Sequence, residues 1–222
     1  MRTPHLKTRL VIEIVVLVLM TTIFLLVFPD RHMFLDVSLA LFALGLIALD
    51  ARFTRTVVWA RIPSPVPDRE RLRRCLVVLI PTTLVLMLVC LGIGMATGYR
   101  EGEWQGAFAR VERWQIILAV GFYLPWALLQ QTLFQFYLFG RLLILLPPWL
   151  AVTCTSLAYG LVHLPDPLLS AMAALAGIFW SSMYYRFRRL IPLAFSHACL
   201  GAAFHYWIYN IDLAREWSAL FG

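Results

Sequence analysis

Three groups of residues in this chain have side-chain types and spacings that can do chemistry. Gln130 and Gln131 are adjacent, and Gln135 follows four positions after the second, in an apolar stretch free of charge, 116–140. Gln131 and Gln135 share a helix face at that spacing. A carboxamide both donates and accepts hydrogen bonds, so such amides can hold a water or a peptide group. It cannot serve as a general base, because it has no site whose pKa approaches neutrality. Tyr159 and His163 form a second i,i+4 pair, and an imidazole is the side chain best suited to move a proton near neutral pH. Asp166, three residues after His163, can orient that ring as a carboxylate does in a catalytic triad. The third group is Ser196-His197, with Gly201 one turn on and His205 two turns on. Each has a plainer reading. Buried glutamines glue helices together, and a histidine at a span end with a nearby aspartate is an ordinary interfacial residue.

The elements that carry these residues are set by composition. Of 222 residues, 61% are hydrophobic and 14% are charged, which describes a polytopic membrane protein. The expected fold is all-α, a membrane helical bundle of about seven transmembrane helices in one domain, 1–222. Seven stretches read as spans: Leu10–Phe28, Met33–Leu49, Cys75–Tyr99, Ile116–Gly140, Trp149–His163, Pro167–Tyr185 and Leu190–Ile211. Primary amides at such depth are costly without partners, and polar groups retained there face a bundle interior or a cavity. The three groups are therefore expected to meet near the bilayer midplane.

Basic residues set the orientation. Arg2, Lys7, Arg9, the seven arginines between Arg52 and Arg74, Arg141, Arg186, Arg188 and Arg189 fall on one side. Only Arg31, Arg100, Arg110, Arg113 and Arg215 fall on the other. The excess places the N-terminus inside a bacterial cytoplasmic membrane. The net charge of +7 then needs anionic lipid and no nucleic acid.

Several local features follow. The run Ile62–Pro67 alternates proline and cannot be helix interior, and Asp68–Arg74 resumes as a basic helical lead. The outer segment Arg100–Gln115 is expected to lie along the interface. Pro125 is expected to kink its helix one turn before Gln130. Gly94 and Gly98 form a G-x-x-x-G spacing suited to close helix packing. Glu13, four after Arg9, and Asp36, four after His32, are expected to reach the interface. Four cysteines show no paired spacing and read as reduced, packed thiols, with acylation of Cys75 beside Arg73-Arg74 as the alternative. No metal or other cofactor is expected, since His163, His197, His205 and Cys199 lack dense ligand spacing.

The ordered series polar-polar-x-x-x-polar, aromatic-x-x-x-His, His-x-x-x-small resembles the CPBP family of intramembrane proteases. That family includes the CAAX prenyl endopeptidases of the Rce1 type and bacteriocin-processing proteins. The likeness is carried by Gln130-Gln131 with Gln135, by Ser156–Pro165 around Tyr159 and His163, and by Gly177–Ala198 with Ser196-His197, and covers about 116–202. The family's pattern is Glu-Glu-x-x-x-Arg, then Phe-x-x-x-His, then His followed by an Asn, small or acidic residue. Here Gln130, Gln131 and Gln135 replace the acids and the arginine, and Gly201 takes the Asn-type position. The resemblance implies a hydrolase that cuts hydrophobic or lipid-modified peptides. It implies that His163 positions or activates water and that His197 supports the oxyanion. Two readings stay open. One is an endopeptidase-fold protein binding such a peptide or a membrane protein at an intramembrane polar site. The other is a catalytically inactive scaffold, a pseudoprotease holding a partner.

Overall fold

A computed structural model describes residues 8, 10–16, 18–19, 21, 33–54, 67–111 and 115–211 of the chain. Among these the fold is all-α and no strand occurs, as expected of a helical membrane bundle. Helical residues 10–16 are followed by α1 (Met33–Thr54), α2 (Asp68–Val111) and α3 (Ile116–Gln131). The chain continues through α4 (Phe139–Leu145), α5 (Pro148–Leu161), α6 (Pro167–Phe187) and α7 (Leu190–Ala203). Two π-helical segments interrupt the pattern, Thr132–Leu138 between α3 and α4 and Phe204–Tyr209 after α7. Among the described residues, Asp68–Ala109, Ile116–Leu145 and Pro167–Phe187 are long and apolar enough to cross a membrane. Of the first expected span, Leu10–Phe28, residues 10–16, 18–19 and 21 are helical, and the rest lie outside the described residues.

The chain divides into two compact units. The first comprises Met1–Ser64 and Gln131–Arg188, the second Pro65–Gln130 and Arg189–Gly222.

In the first unit, proline and aspartate punctuate the helices. Pro147 caps α5 and Pro148 opens it, where a missing N–H costs nothing. Asp166 caps α6, accepting from the Leu169 N–H at 2.9 Å, with Pro167 at the first helical position. α6 ends where Arg188 turns left-handed, at φ 53°. Small residues let α5 and α6 pack closely. A Cβ on Gly160 would lie 2.7 Å from the Ser170 carbonyl oxygen, and one on Gly177 would lie 3.0 Å from the Ser156 Cα. The Ser170 hydroxyl also donates to the Gly160 carbonyl at 2.9 Å.

In the second unit, α2 begins after the non-helical Pro67 with Asp68 and Glu70 in its first turn, where acids suit the helix dipole. Asp68 pairs with Arg71 and Arg189, and Glu70 pairs with Arg73 and Arg74. The hydrogen bonds from Arg73 and Arg74 hold the Glu70 carboxyl at about 2, well below its ordinary range. The segment Arg100–Gln115 is helical through Val111, with a break at Gly102–Glu103 where Glu103 adopts φ 53°. That break folds the chain back on itself: a Cβ on Gly98 would lie 2.6 Å from the Gly106 carbonyl oxygen. Gly94 meets the Trp207 carbonyl oxygen equally closely, so both glycines of the G-x-x-x-G spacing work as close contacts, against separate partners. Cys75 is fully buried, which withdraws its thiol from acylation.

Candidate functional site

The first unit holds Gln131, Gln135, Tyr159, His163 and Asp166. Gln131 and Gln135 are both at 0% exposure. Gln135 lies within the π-helical turn Thr132–Leu138, whereas α3 accommodates Pro125 and runs on to Gln131. An i→i+5 turn widens the helix and re-aims the side chains after it, and such turns concentrate at functional sites. The Ser181 hydroxyl of α6 donates to Gln135 Oε1 at 2.9 Å. The other end of that amide, Nε2, is buried with no hydrogen-bond partner among the described residues. Reversing the amide exchanges its ends and still leaves one unspent.

Tyr159 packs against residues next in sequence to Gln135 and Ser181. Its ring meets Phe134 edge-on at 4.8 Å and Trp180 at 5.7 Å, between centroids, and both neighbours adjoin the Gln135–Ser181 pair in sequence. One turn on, His163 Nδ1 lies 2.8 Å from the Tyr159 carbonyl oxygen. A carbonyl only accepts, so Nδ1 bears a proton, and in the neutral form of the ring the lone pair is then on Nε2. This is the tautomer a base needs. The ring is oriented by the Tyr159 carbonyl, and one Asp166 oxygen is used on the start of α6. Thr155 and Ser156 turn their hydroxyls onto carbonyls of their own helix.

The sequence reading missed a buried ion pair in this unit. Arg141, at 0% exposure, donates from Nε to Glu13 Oε2 at 2.7 Å. Its guanidinium lies 3.5 Å from the Tyr137 ring centroid, and the Tyr137 hydroxyl reaches the same Glu13 oxygen at 3.5 Å. Glu13, expected at the interface with Arg9, is thus drawn onto Arg141. Side-chain contacts of Asp36 and Arg9 lie outside the described residues.

The second unit holds Gln130, His197 and Gly201. Gln130 and His197 are buried, and Ser196 shares a 2.7 Å hydrogen bond with Thr83 of α2. Tyr123 of α3 lies across the His197 face of α7. Its ring is 5.6 Å from His197 and 6.4 Å from His205, between centroids. Gly201 makes this possible, because a Cβ there would sit 2.5 Å from Tyr123 Cε1 and 3.1 Å from Cζ. The phenol thus occupies the volume that an Asn-type side chain at 201 would fill. His205 Nδ1 donates to the Gly201 carbonyl at 2.9 Å, repeating the His163 arrangement. Tyr123, Ser181 and the Glu13–Arg141 pair carried no spacing signal. Arg141 entered only among the basic residues that set the orientation.

Among the described residues, no group of three or more His, Cys, Asp or Glu stands where it could hold a metal ion. No curated protein and no solved structure matches the chain. Residues 112–203, under half of the chain, match the family described as Type II CAAX prenyl endopeptidase Rce1-like. The matched stretch encloses Gln130, Gln131, Gln135, Tyr159, His163, Asp166, His197 and Gly201. Over that stretch the chain is similar to the Rce1-like family, a likeness that supports an intramembrane protease-like fold.

Proposed function

We propose that this protein binds a hydrophobic or lipid-modified peptide through polar groups carried on its membrane-spanning helices. The observation that carries the reading is the Gln135 amide, fully buried, with one end on Ser181 and the other without a partner among the described residues. Lipid tails offer it nothing, and an unmade buried hydrogen bond costs about 1–3 kcal/mol. A peptide backbone supplies both a donor and an acceptor and satisfies the amide in either orientation. Tyr159, Phe134 and Trp180 provide apolar walls beside it.

Hydrolysis by the wild-type chain would depend on His163. Its Nε2 would take a proton from water as the hydroxide adds to the peptide carbonyl. The C–N bond would then break, with that proton delivered to the leaving nitrogen. A glutamine such as Gln131 can orient a water but cannot take its proton. That favours a second reading, a pseudoprotease that holds its peptide or a membrane-protein partner without cutting it. The basic-residue distribution supports placement in a bacterial cytoplasmic membrane with the N-terminus inside.

Purified full-length protein titrated with a labelled hydrophobic peptide tests the binding. Ser181→Ala and Gln135→Leu are each expected to weaken it about tenfold, and unchanged affinity in both removes the reading. Restoring the two carboxylates and the arginine together (Gln130→Glu, Gln131→Glu, Gln135→Arg) and assaying cleavage separates the two forms. Gain of proteolysis shows a site lacking only its base. Cleavage by the wild type that is lost in His163→Ala supports the active form.

A further inference from the structure

Tyr123 has hydrogen-bonding capacity that the second unit does not use. It lies in a membrane-spanning helix at 7% exposure, where no bulk water reaches it. Its oxygen is held by the Trp126 side chain, whose indole N–H can only donate. Among the described residues no acceptor takes the phenol proton. A hydroxyl that accepts one hydrogen bond becomes a stronger donor through its own O–H, so the unspent proton is polarised as well as buried.

The packing around the ring is specific. Tyr123 lies over two imidazoles of one helix face, His197 edge-on at 5.6 Å and His205 at 6.4 Å, between centroids. Gly201, between the two histidines, has no side chain to compete with the ring, and even a methyl group there would overlap it at 2.5 Å. α7 is buried along the same side at Ala194, Ala198 and Ala202, so the polar groups are gathered at Tyr123 and His197. Were the ring only a wedge, phenylalanine would fill the same volume without a buried hydroxyl, at lower desolvation cost.

We propose that Tyr123 is a ligand-binding residue: its phenol, braced by Trp126, donates a hydrogen bond to a peptide carbonyl oxygen, or to the tetrahedral oxyanion derived from it, beside His197. The proposal takes its ligand class, a peptide within the membrane, from the function proposed above. Lipid chains carry no acceptor at that depth, whereas a peptide carbonyl is a strong one. Donation to a charged oxygen is about twice as strong as to a neutral one, so Tyr123 favours the tetrahedral species over the planar amide.

The test uses the full-length protein in detergent and two labelled hydrophobic peptides, identical except that one carries a phosphinate in place of a single amide. Tyr123→Phe keeps the ring and its contact with Gly201, and a thermal-unfolding curve matching the parent's verifies the packing. This variant is expected to bind the phosphinate peptide at least tenfold more weakly and the amide peptide a few-fold more weakly. Trp126→Phe is expected to produce a smaller loss of phosphinate binding in the same direction. Undiminished phosphinate binding by Tyr123→Phe overturns this proposal while leaving the Gln135–Ser181 reading in place. Failure of the parent to bind either peptide overturns both.

Discussion

At the residue scale, Arg141 and Glu13 carry the largest single energetic commitment described. Arg141 is fully enclosed, and a guanidinium cannot shed its charge. The Glu13 carboxylate and the Tyr137 face lie against it. Removing one partner of a buried pair strands the other, at about 3–5 kcal/mol, whereas replacing both with apolar groups of similar volume is close to neutral. Glu13→Gln is therefore expected to lower the unfolding free energy by about 3–5 kcal/mol. Glu13→Leu combined with Arg141→Met is expected to recover most of the loss, as read by denaturant titration in detergent micelles. A single variant as stable as the parent would show that Arg141 draws its compensation from elsewhere. The His163 tautomer belongs to the same scale. Its Nδ1 contact is with a carbonyl four residues back, so the aromatic-x-x-x-His spacing already contained it.

Among the elements, close helix approach is what holds the first unit's polar groups in place. α5 brings Tyr159 and α6 brings Trp180 and Ser181, and their alignment depends on Gly160 and Gly177 admitting the facing backbone. Gly160→Ala puts a methyl group 2.7 Å from a carbonyl oxygen that belongs to backbone, so the helices must separate. A destabilisation of about 1–3 kcal/mol is expected. Near-ultraviolet circular dichroism from Trp180 should change as its contact with Tyr159 loosens. An unchanged spectrum and unfolding curve would mean the α5–α6 contact does not set the site. The π-helical turn acts at the same scale. It begins directly after Gln131, so Gln131 and Gln135 do not keep the straight stacking that an unbroken α-helix would impose. Nothing in the order of residues 132–138 announces an extra residue in the turn, since each is a plausible α-helix former.

For the whole molecule, the testable quantity is orientation in the bilayer. Arginines cluster in Ala51–Arg74 and around Arg186–Arg189, while Arg100–Arg113 is mixed in sign. With the N-terminus inside, a cysteine at the exposed position Gln105→Cys is expected to react with an impermeant maleimide added to intact cells. Ser64→Cys is expected to react only after the membrane is opened. The opposite labelling pattern reverses the topology.

The chain by itself determined its class and much of its segmentation. Hydropathy alone demands membrane helices, because backbone polar groups in hydrocarbon must be satisfied within the helix. Pro147, Pro148, Asp166 and Pro167 mark helix boundaries through donors they lack or supply. The motif spacings also brought out the stretch that matches the Rce1-like family. Tertiary structure alone decided which polar group meets which. Ser181 reaches Gln135 across 46 positions, Glu13 reaches Arg141 across 128, and Tyr123 finds Gly201 only because two helices lie side by side. Local periodicity reports contacts within one or two turns of a helix. The choice among distant partners depends on how closely separate helices pack and on the cost of leaving a polar atom unpaired in the membrane, neither of which is written in the spacing of any one segment.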